Sequence, residues 1–503
     1  MRGARVQALK MEKETLEDHL RKATRQSTSR LPEDRVFALG RDLARELTTA
    51  HGETPPRHPS LEPADVLMAD GAPRLGVGQP GDEGEDIFRL GALLTGLALG
   101  RPPSLSWRLD GPPRVDVSSV RRRAVLAGLS SPRRADRYAT ATEALAALES
   151  ALSALPAPVP SWPMFRGDAG RSGSRPATTP ARELRYRWQA AVGAVAASPV
   201  IAGDLVIAVS SDGTVCFVDR QNGRLLEKVP VGSAVESSPA VAMGVIHVGT
   251  DDGTLVGIGL ADGRERYRVK VGSLVRSSPL TAEGLVVVGT IDANGQGALV
   301  AVTDGGQPKW TRKIAAVFSS PALAGALVVV GADDGSVHAF DRATGAPAWS
   351  QRIGPKVRAT PAVERESVYV AGFDGTVVAL RAADGTRAWE RALGHAVYSS
   401  PCVASGIAVV GCHEGHIHGL DVATGAVRFQ AETGGPVLSS PAATGTRMIT
   451  SSTDGHLYLL DDSGAVLHRL AVPGGSTQSS PAFEGAALFV GGATGLHALV
   501  LAS

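Results

Sequence analysis

The chain has 503 residues, 43% of them hydrophobic and 20% charged, with a formal net charge of +1. That length supports two to four domains with buried cores, and the near-neutral balance argues against a nucleic-acid or polyanion binder, which needs a concentrated basic face. Cys216, Cys402 and Cys412 are odd in number and not adjacent, which speaks against a disulfide framework and for a reducing compartment.

The first twenty residues, MRGARVQALKMEKETLEDHL, carry neither an apolar h-region nor a small-residue cleavage site, so no secretory signal is expected. After a Ser-x-x-Pro-Glu start, Val36, Leu39, Leu43 and Leu47 recur at spacings of three and four, predicting an amphipathic helix. The longest apolar run, IFRLGALLTGLALG (87–100), contains Arg89 and three glycines and is too short to cross a bilayer. A second helix is predicted at the end of this half, where Thr140 and Glu143 form a capping box ahead of Leu145, Leu148 and Leu152. The stretch ALPAPVPSWP then ends the helical part. We therefore divide the chain into a helical region 1–153, a Pro/Ala-rich linker 154–182 containing WPMFRGD, and a third region 183–503.

In that third region the triplet Ser-Ser-Pro, or a close variant, recurs with its proline at 199, 239, 279, 321, 361, 401, 441 and 481. Seven spacings of 40 to 42 residues define eight repeats, the period of a solenoid or propeller. Within a repeat, alternating apolar runs flank an Asp-Gly turn such as Asp252-Gly253 or Asp374-Gly375, a strong hairpin signal. Four short strands per repeat make one propeller blade. The last repeat lacks a fourth strand, and ELRYRWQAAVG ahead of the first repeat is a fourth strand without a blade. The N-terminal strand is therefore expected to complete the C-terminal blade and remove an open edge.

The segment WPMFRGDAGRSG (162–173) and the repeated SSP…DGT…TG…W pattern resemble the PQQ-like β-propeller repeat family. The family includes quinoprotein alcohol dehydrogenases, an outer-membrane assembly lipoprotein and sensor modules of bacterial kinases. The helical half resembles a serine/threonine kinase C-lobe from the hinge onward: HPSLEPADVLM (58–68) stands where kinases read HRDLKPENILL. On that resemblance the acceptor-orienting Asp position is Ser60, the Lys position Glu62, the metal-binding Asn position Asp65, and the DFG Asp position Gly76. Phosphoryl transfer needs those carboxylates to orient the acceptor and hold Mg²⁺, so a pseudokinase remnant is expected. The fold class is thus an all-α kinase C-lobe-like region joined to an all-β eight-bladed propeller.

Three further features bear on function. PQQ dehydrogenases hold their cofactor with a vicinal cysteine pair, which the chain lacks, so no cofactor is expected. Cys412, Glu414, His416 and His418 have metal-ligand chemistry, but Glu414-Gly415 occupies the hairpin-turn position of the other repeats, so no metal is expected there. Four residues before each proline stand Val195, Val235, Val275, Val317, Val357, Val397, Val437 and Thr477, nearly uniform. The next position is mixed: Glu236, Arg276, Phe318, Arg358, Tyr398 and Gln478, with Ala196 and Leu438 in the other two repeats. Neighbouring strand residues face opposite sides, which puts the valines between sheets and the mixed set around one mouth of the central channel. The expected function is a non-catalytic signalling or scaffold protein, cytoplasmic, whose channel mouth takes a protein, or a peptide-like or anionic ligand. The alternatives are a propeller enzyme or metal-dependent module, and a fragment of a kinase with a propeller sensor.

Overall fold

A computed structural model describes residues 33–52, 59–60, 66–69, 72–77, 83–99, 120–131, 137–152, 161–176, 181–475 and 478–503. The chain divides into two compact units, Met1–Pro156 and Ala157–Ser503.

The described part of the first unit contains helices α1 (Glu33–Gly52), α2 (Glu83–Leu99), α3 (Val120–Ser130) and α4 (Ala141–Leu152). Val36, Leu39 and Leu43 of α1 are buried with Leu90, Leu94, Leu129 and Leu148 in one core, as their spacing predicts. Gly40 lets α1 approach α2 closely, since a Cβ there would lie 2.5 Å from Leu94. The hydroxyl of Thr140 accepts the Glu143 N–H of α4, while the Glu143 carboxylate accepts from the Ala139 N–H. The predicted box is thus shifted by one residue on its return bond. The unit is not all-α. Strands β1 (Pro59–Ser60), β2 (Val66–Ala69) and β3 (Ala72–Val77) form a three-stranded sheet in the order β1-β3-β2. β1 spans two residues, β2 (VLMA) is uniformly apolar and β3 (APRLGV) contains a proline, so none shows the alternation that marks the blade strands, which is why the sequence reading missed them.

In the second unit the described residues form eight antiparallel blades of four strands: 200–230, 240–270, 280–315, 322–352, 362–392, 402–432, 442–471, to which β4 (Ser174–Arg175) adds as a parallel fifth strand, and 482–502 with β5 (Glu183–Ala190). The expected closure is present, with β5 pairing antiparallel to Gly495–Ala502 in register Ala498↔Trp188. A hydrogen bond of 2.8 Å between the Tyr186 hydroxyl and His497 Nδ1 reinforces it.

The repeated residues hold neighbouring blades together. The valines insert where strand glycines make room: a Cβ on Gly249, Gly289, Gly331, Gly411 or Gly491 would lie 2.2–2.6 Å from a methyl carbon of Val275, Val317, Val357, Val437 or Val195. Trp310, Trp349 and Trp389 lie against the turn glycines Gly345, Gly385 and Gly425. Each also donates its indole N–H to a carbonyl of that neighbouring blade at 2.8–2.9 Å. In Ser-Ser-Pro the first serine clasps two strands of its own blade, as Ser237 does by both accepting from and donating to Gly249. The second serine forms a belt. Ser198 N–H donates to Ser238 Oγ, Ser238 to Ser278, and so on through Ser320, Thr360, Ser400, Ser440 and Ser480 back to Ser198, at 2.8–3.0 Å. A packed-ring fold that must fix blade number gains from such a closed circuit of buried, satisfied bonds.

Candidate functional site

The segment assigned to a linker by composition contributes residues 161–176 to the propeller itself. An innermost strand leaves its inward N–H groups unpaired unless another segment covers them. Here 162–173 runs around the inside of the channel and does so. The N–H groups of Ile201, Val241, Leu323, Val363, Val403 and Ala443 donate to carbonyls of Trp162, Pro163, Ala169, Gly170, Ser172 and Gly173 at 2.7–3.0 Å. The tight curl needs left-handed backbone at Arg166 (φ 63), Gly167, Arg171 (φ 59) and Gly173. Gly173 has no alternative, because a Cβ there would lie 2.2 Å from the Arg166 guanidinium.

Arg166 and Arg171 are both buried in this plug. Arg166 donates to the carbonyls of Pro401 and Pro441 at 2.6 and 2.9 Å. Arg171 donates to Phe165, Pro321, Pro279 and Ser278 at 2.6, 3.0, 2.8 and 3.1 Å. The two guanidiniums thus gather four of the repeat prolines by their carbonyls. Burial pulls Arg171 down to about 9, which leaves it charged at neutral pH, and burial likewise lowers Arg166.

On one side of the plug lies a cavity of about 750 Å³, with Phe165 from the plug and the eight belt residues among its lining. Glu236, Arg276, Phe318, Arg358, Tyr398 and Gln478 all line it, with Ala196 and Leu438. The structure therefore brings the mixed set together in one place. Beside it stand residues that the sequence reading missed, those immediately before the hairpin turns; Asp251, Asp333 and Phe373 each adjoin the ring residue 25 positions on. Asp251 accepts from Arg276 at 3.2 Å. Asp333 receives Arg358 in two bonds of 2.9 and 2.7 Å. Phe373 meets Tyr398 edge-on at 4.7 Å, and the His413 ring lies 5.7 Å from that of Tyr398. Their mixed identity across the repeats was the available signal, the same one that marked the ring.

Electrostatically the cavity is balanced. Arg276 also pairs with Glu236 at 3.1 Å, and Arg358 stacks 4.1 Å over Phe318 while Asp333 holds its guanidinium charged. Arg276 Nε and Asp251 Oδ1 are buried with no partner, so this pair has a donor and an acceptor in hand. The belt hydroxyls, in contrast, each accept a backbone amide.

In the first unit Ser60 pairs directly with Gly76 across β1 and β3. Glu62 and Asp65 lie outside the described residues.

The profile of the family described as "Beta-alanine-activating enzyme, beta-propeller" matches residues 194–493. The chain belongs to this propeller family. No curated protein matches it. Among solved structures, this family member is similar to BamB from Moraxella catarrhalis, at 19% identity over 63% of this chain and 99% of that one, with a TM-score of 0.56. It is similar to the quinohemoprotein alcohol dehydrogenase from Comamonas testosteroni at 13% identity, over 69% and 81% of the two chains, with a TM-score of 0.60. The computationally designed Ika8 protein matches at 19% identity, over 64% and 100%, with a TM-score of 0.54. At such identities the likeness is one of fold, and folds of this kind host many activities. Among the described residues no helix is long and apolar enough to cross a membrane.

Proposed function

We propose that the propeller is a binding module whose cavity takes a peptide-like segment, within a non-catalytic signalling or scaffold protein. The observation that carries this is the one-sided wall of the cavity. Eightfold packing would favour one residue type around the ring, yet blades two to six place two ion pairs and an aromatic cluster there, while Ala196, Leu438 and Gln478 complete the circle. About 750 Å³ lies within the range of small-ligand sites. The charge balance favours a neutral amide chain over a bare anion, because both ring arginines already face acids. Arg276 and Asp251, with an unused donor and acceptor, suit an amide C=O and N–H if the pair opens around it, and Tyr398 with Phe373 suits an apolar side chain.

The belt hydroxyls are committed to backbone amides and both lining carboxylates lie beside Arg276, which supports binding over catalysis. PQQ does not fit the lining: the cysteine pair of the quinoprotein resemblance has no counterpart, and no cysteine lines the cavity. The three buried free thiols support a reducing, cytoplasmic compartment. For the first unit we propose a degenerate kinase C-lobe. The two carboxylates of a kinase act on one phosphoryl group and must sit together, and the backbone pairing of Ser60 with Gly76 puts the two corresponding positions side by side without either carboxylate.

A random-peptide display library panned on the full chain tests the binding reading. Enriched peptides should bind Tyr398→Ala and Arg276→Ala at least tenfold more weakly at unchanged melting temperature. No enrichment, or enrichment indifferent to both variants, would overturn it.

A further inference from the structure

The hairpin of the sixth blade joins Ile407–Gly411 to His416–Asp421 through Cys412-His413-Glu414-Gly415. In sequence this reads as a turn variant. In the structure Cys412 N–H donates to the His416 carbonyl at 2.8 Å, so the two residues stand opposite each other at the base of the turn. His418 lies two residues along the same strand and hence on the same face as His416. One sulfur and two imidazoles therefore converge, with a ligand atom of each within 4.8 Å of the others.

A second observation sets this cluster apart from the histidines of other blades. His247 and His497 each leave Nε2 buried without a partner but engage a tyrosine hydroxyl through Nδ1, at 2.6 and 2.8 Å, and His338 reaches Asp334 at 2.9 Å. By contrast both ring nitrogens of His418, and Nδ1 of His416, are buried without a hydrogen-bond partner. Cys412 and His418 are almost fully inaccessible, at 0% and 4%. Three unpartnered polar nitrogens beside a buried thiol cost several kcal/mol of desolvation that a hydrogen-bond partner or a cation would offset. Such groups in a native fold call for an explanation.

We propose that Cys412, His416 and His418 form a binding site for a borderline-soft divalent cation of the Zn²⁺ class, with water in the fourth position. Thiolate plus two imidazoles is a donor set that Zn²⁺ favours over oxygen-seeking Mg²⁺ or Ca²⁺. Bonds of ~2.3 Å to sulfur and ~2.0–2.1 Å to nitrogen set tetrahedral ligand atoms roughly 3.3–3.7 Å apart. The cluster reaches that spacing from 4.8 Å by side-chain rotation of about an ångström. His395 adjoins the site, its ring 5.7 Å from that of His416, and lies 3.5 Å from the Glu414 carboxylate. That carboxylate supplies negative charge next to a bound cation. Binding converts the Cys412 thiol to a thiolate and releases its proton to solvent.

The test uses the tag-free full chain, loaded with Zn²⁺, dialysed and assayed by atomic emission, with Co²⁺ as a spectroscopic stand-in. The expected result is close to one metal per chain and a thiolate-to-Co²⁺ charge-transfer band accompanied by tetrahedral visible bands. Cys412→Ser, which is nearly isosteric, should fold and lose that band, and His418→Gln should weaken binding at least tenfold. Wild-type protein that takes up no metal overturns the proposal, and this outcome does not depend on whether any variant folds. A thiolate band that survives Cys412→Ser overturns it too, because the remaining thiols, Cys216 and Cys402, lie elsewhere in the propeller.

Discussion

Replacing Arg171 by Met keeps the length and bulk of a buried side chain and removes only the guanidinium. In the folded state that group donates to the carbonyls of Phe165, Ser278, Pro279 and Pro321 at 2.6–3.1 Å. Bonds from a charged donor contribute about 1.5–3 kcal/mol each, so four would be worth roughly 6–12 kcal/mol taken alone. Burying a cation costs several kcal/mol of that, leaving a net loss on the order of 3–5 kcal/mol. The propeller unit, Ala157–Ser503, has an unfolding entropy of about 0.7 kcal/mol/K at ~2.1 cal/mol/K per residue. The melting temperature should therefore fall by roughly 4–7 °C in differential scanning calorimetry. Arg171→Lys should recover only part of this, because one ammonium cannot reach carbonyls spread around a planar fork. A melting temperature for Arg171→Met within about 1 °C of the parent would mean that the plug does not gather the blades through its arginines.

Deleting Glu183–Ala190 strips the partner strand from Gly495–Ala502 and should lower the unfolding temperature of the whole propeller rather than fray one end; an unchanged calorimetric transition would contradict this. His247 is fully buried, and burial pushes it down to about 4 from 6.5. The unfolded chain then binds more protons between those values, so stability falls as pH drops from 6.5 toward 4, by roughly 2 kcal/mol at pH 5 for this residue. His247→Phe should flatten that part of a urea-melt pH series, and an identical slope would count against it. For the first unit, incubation with labelled ATP and Mg²⁺ or Mn²⁺ should give no incorporation; incorporation abolished by Ser60→Ala would show that a catalyst remains.

The propeller was legible because its signals repeat. Asp-Gly turns, alternating runs and the proline period each occur several times, so chance matches cancel, and the missing fourth strand pointed directly to β5. The uniform valines and the mixed ring were separable for the same reason, and the ring residues do converge on one cavity. Pairing partners were harder to see. Asp251 and Asp333 are 25 residues from the arginines they neutralise, and a list of ring residues without them reads as cationic when the cavity is balanced. The plug was hidden by its composition, since Pro, Ala and Gly signify a linker unless the unpaired inner strand edges are counted first. In the first unit, β1 to β3 neither repeat nor alternate: VLMA is uniformly apolar and APRLGV contains a proline. The metal-ligand chemistry of Cys412, His416 and His418 was visible in sequence, but their convergence across the hairpin and the lack of hydrogen-bond partners at both ring nitrogens of His418 and at Nδ1 of His416 belong to the folded surroundings alone.

A propeller that meets its ligand in the cavity over the plug should label that ligand from the cavity wall and from nowhere on its outer strands. A photo-crosslinking amino acid placed at Leu438, which lines the cavity, can be compared with one at Val427, exposed on an outer strand of the sixth blade. With a peptide selected from the display library, adducts should form from position 438 and disappear on adding excess unlabelled peptide, with none from 427. Equal labelling at both positions, or labelling confined to 427, would contradict it.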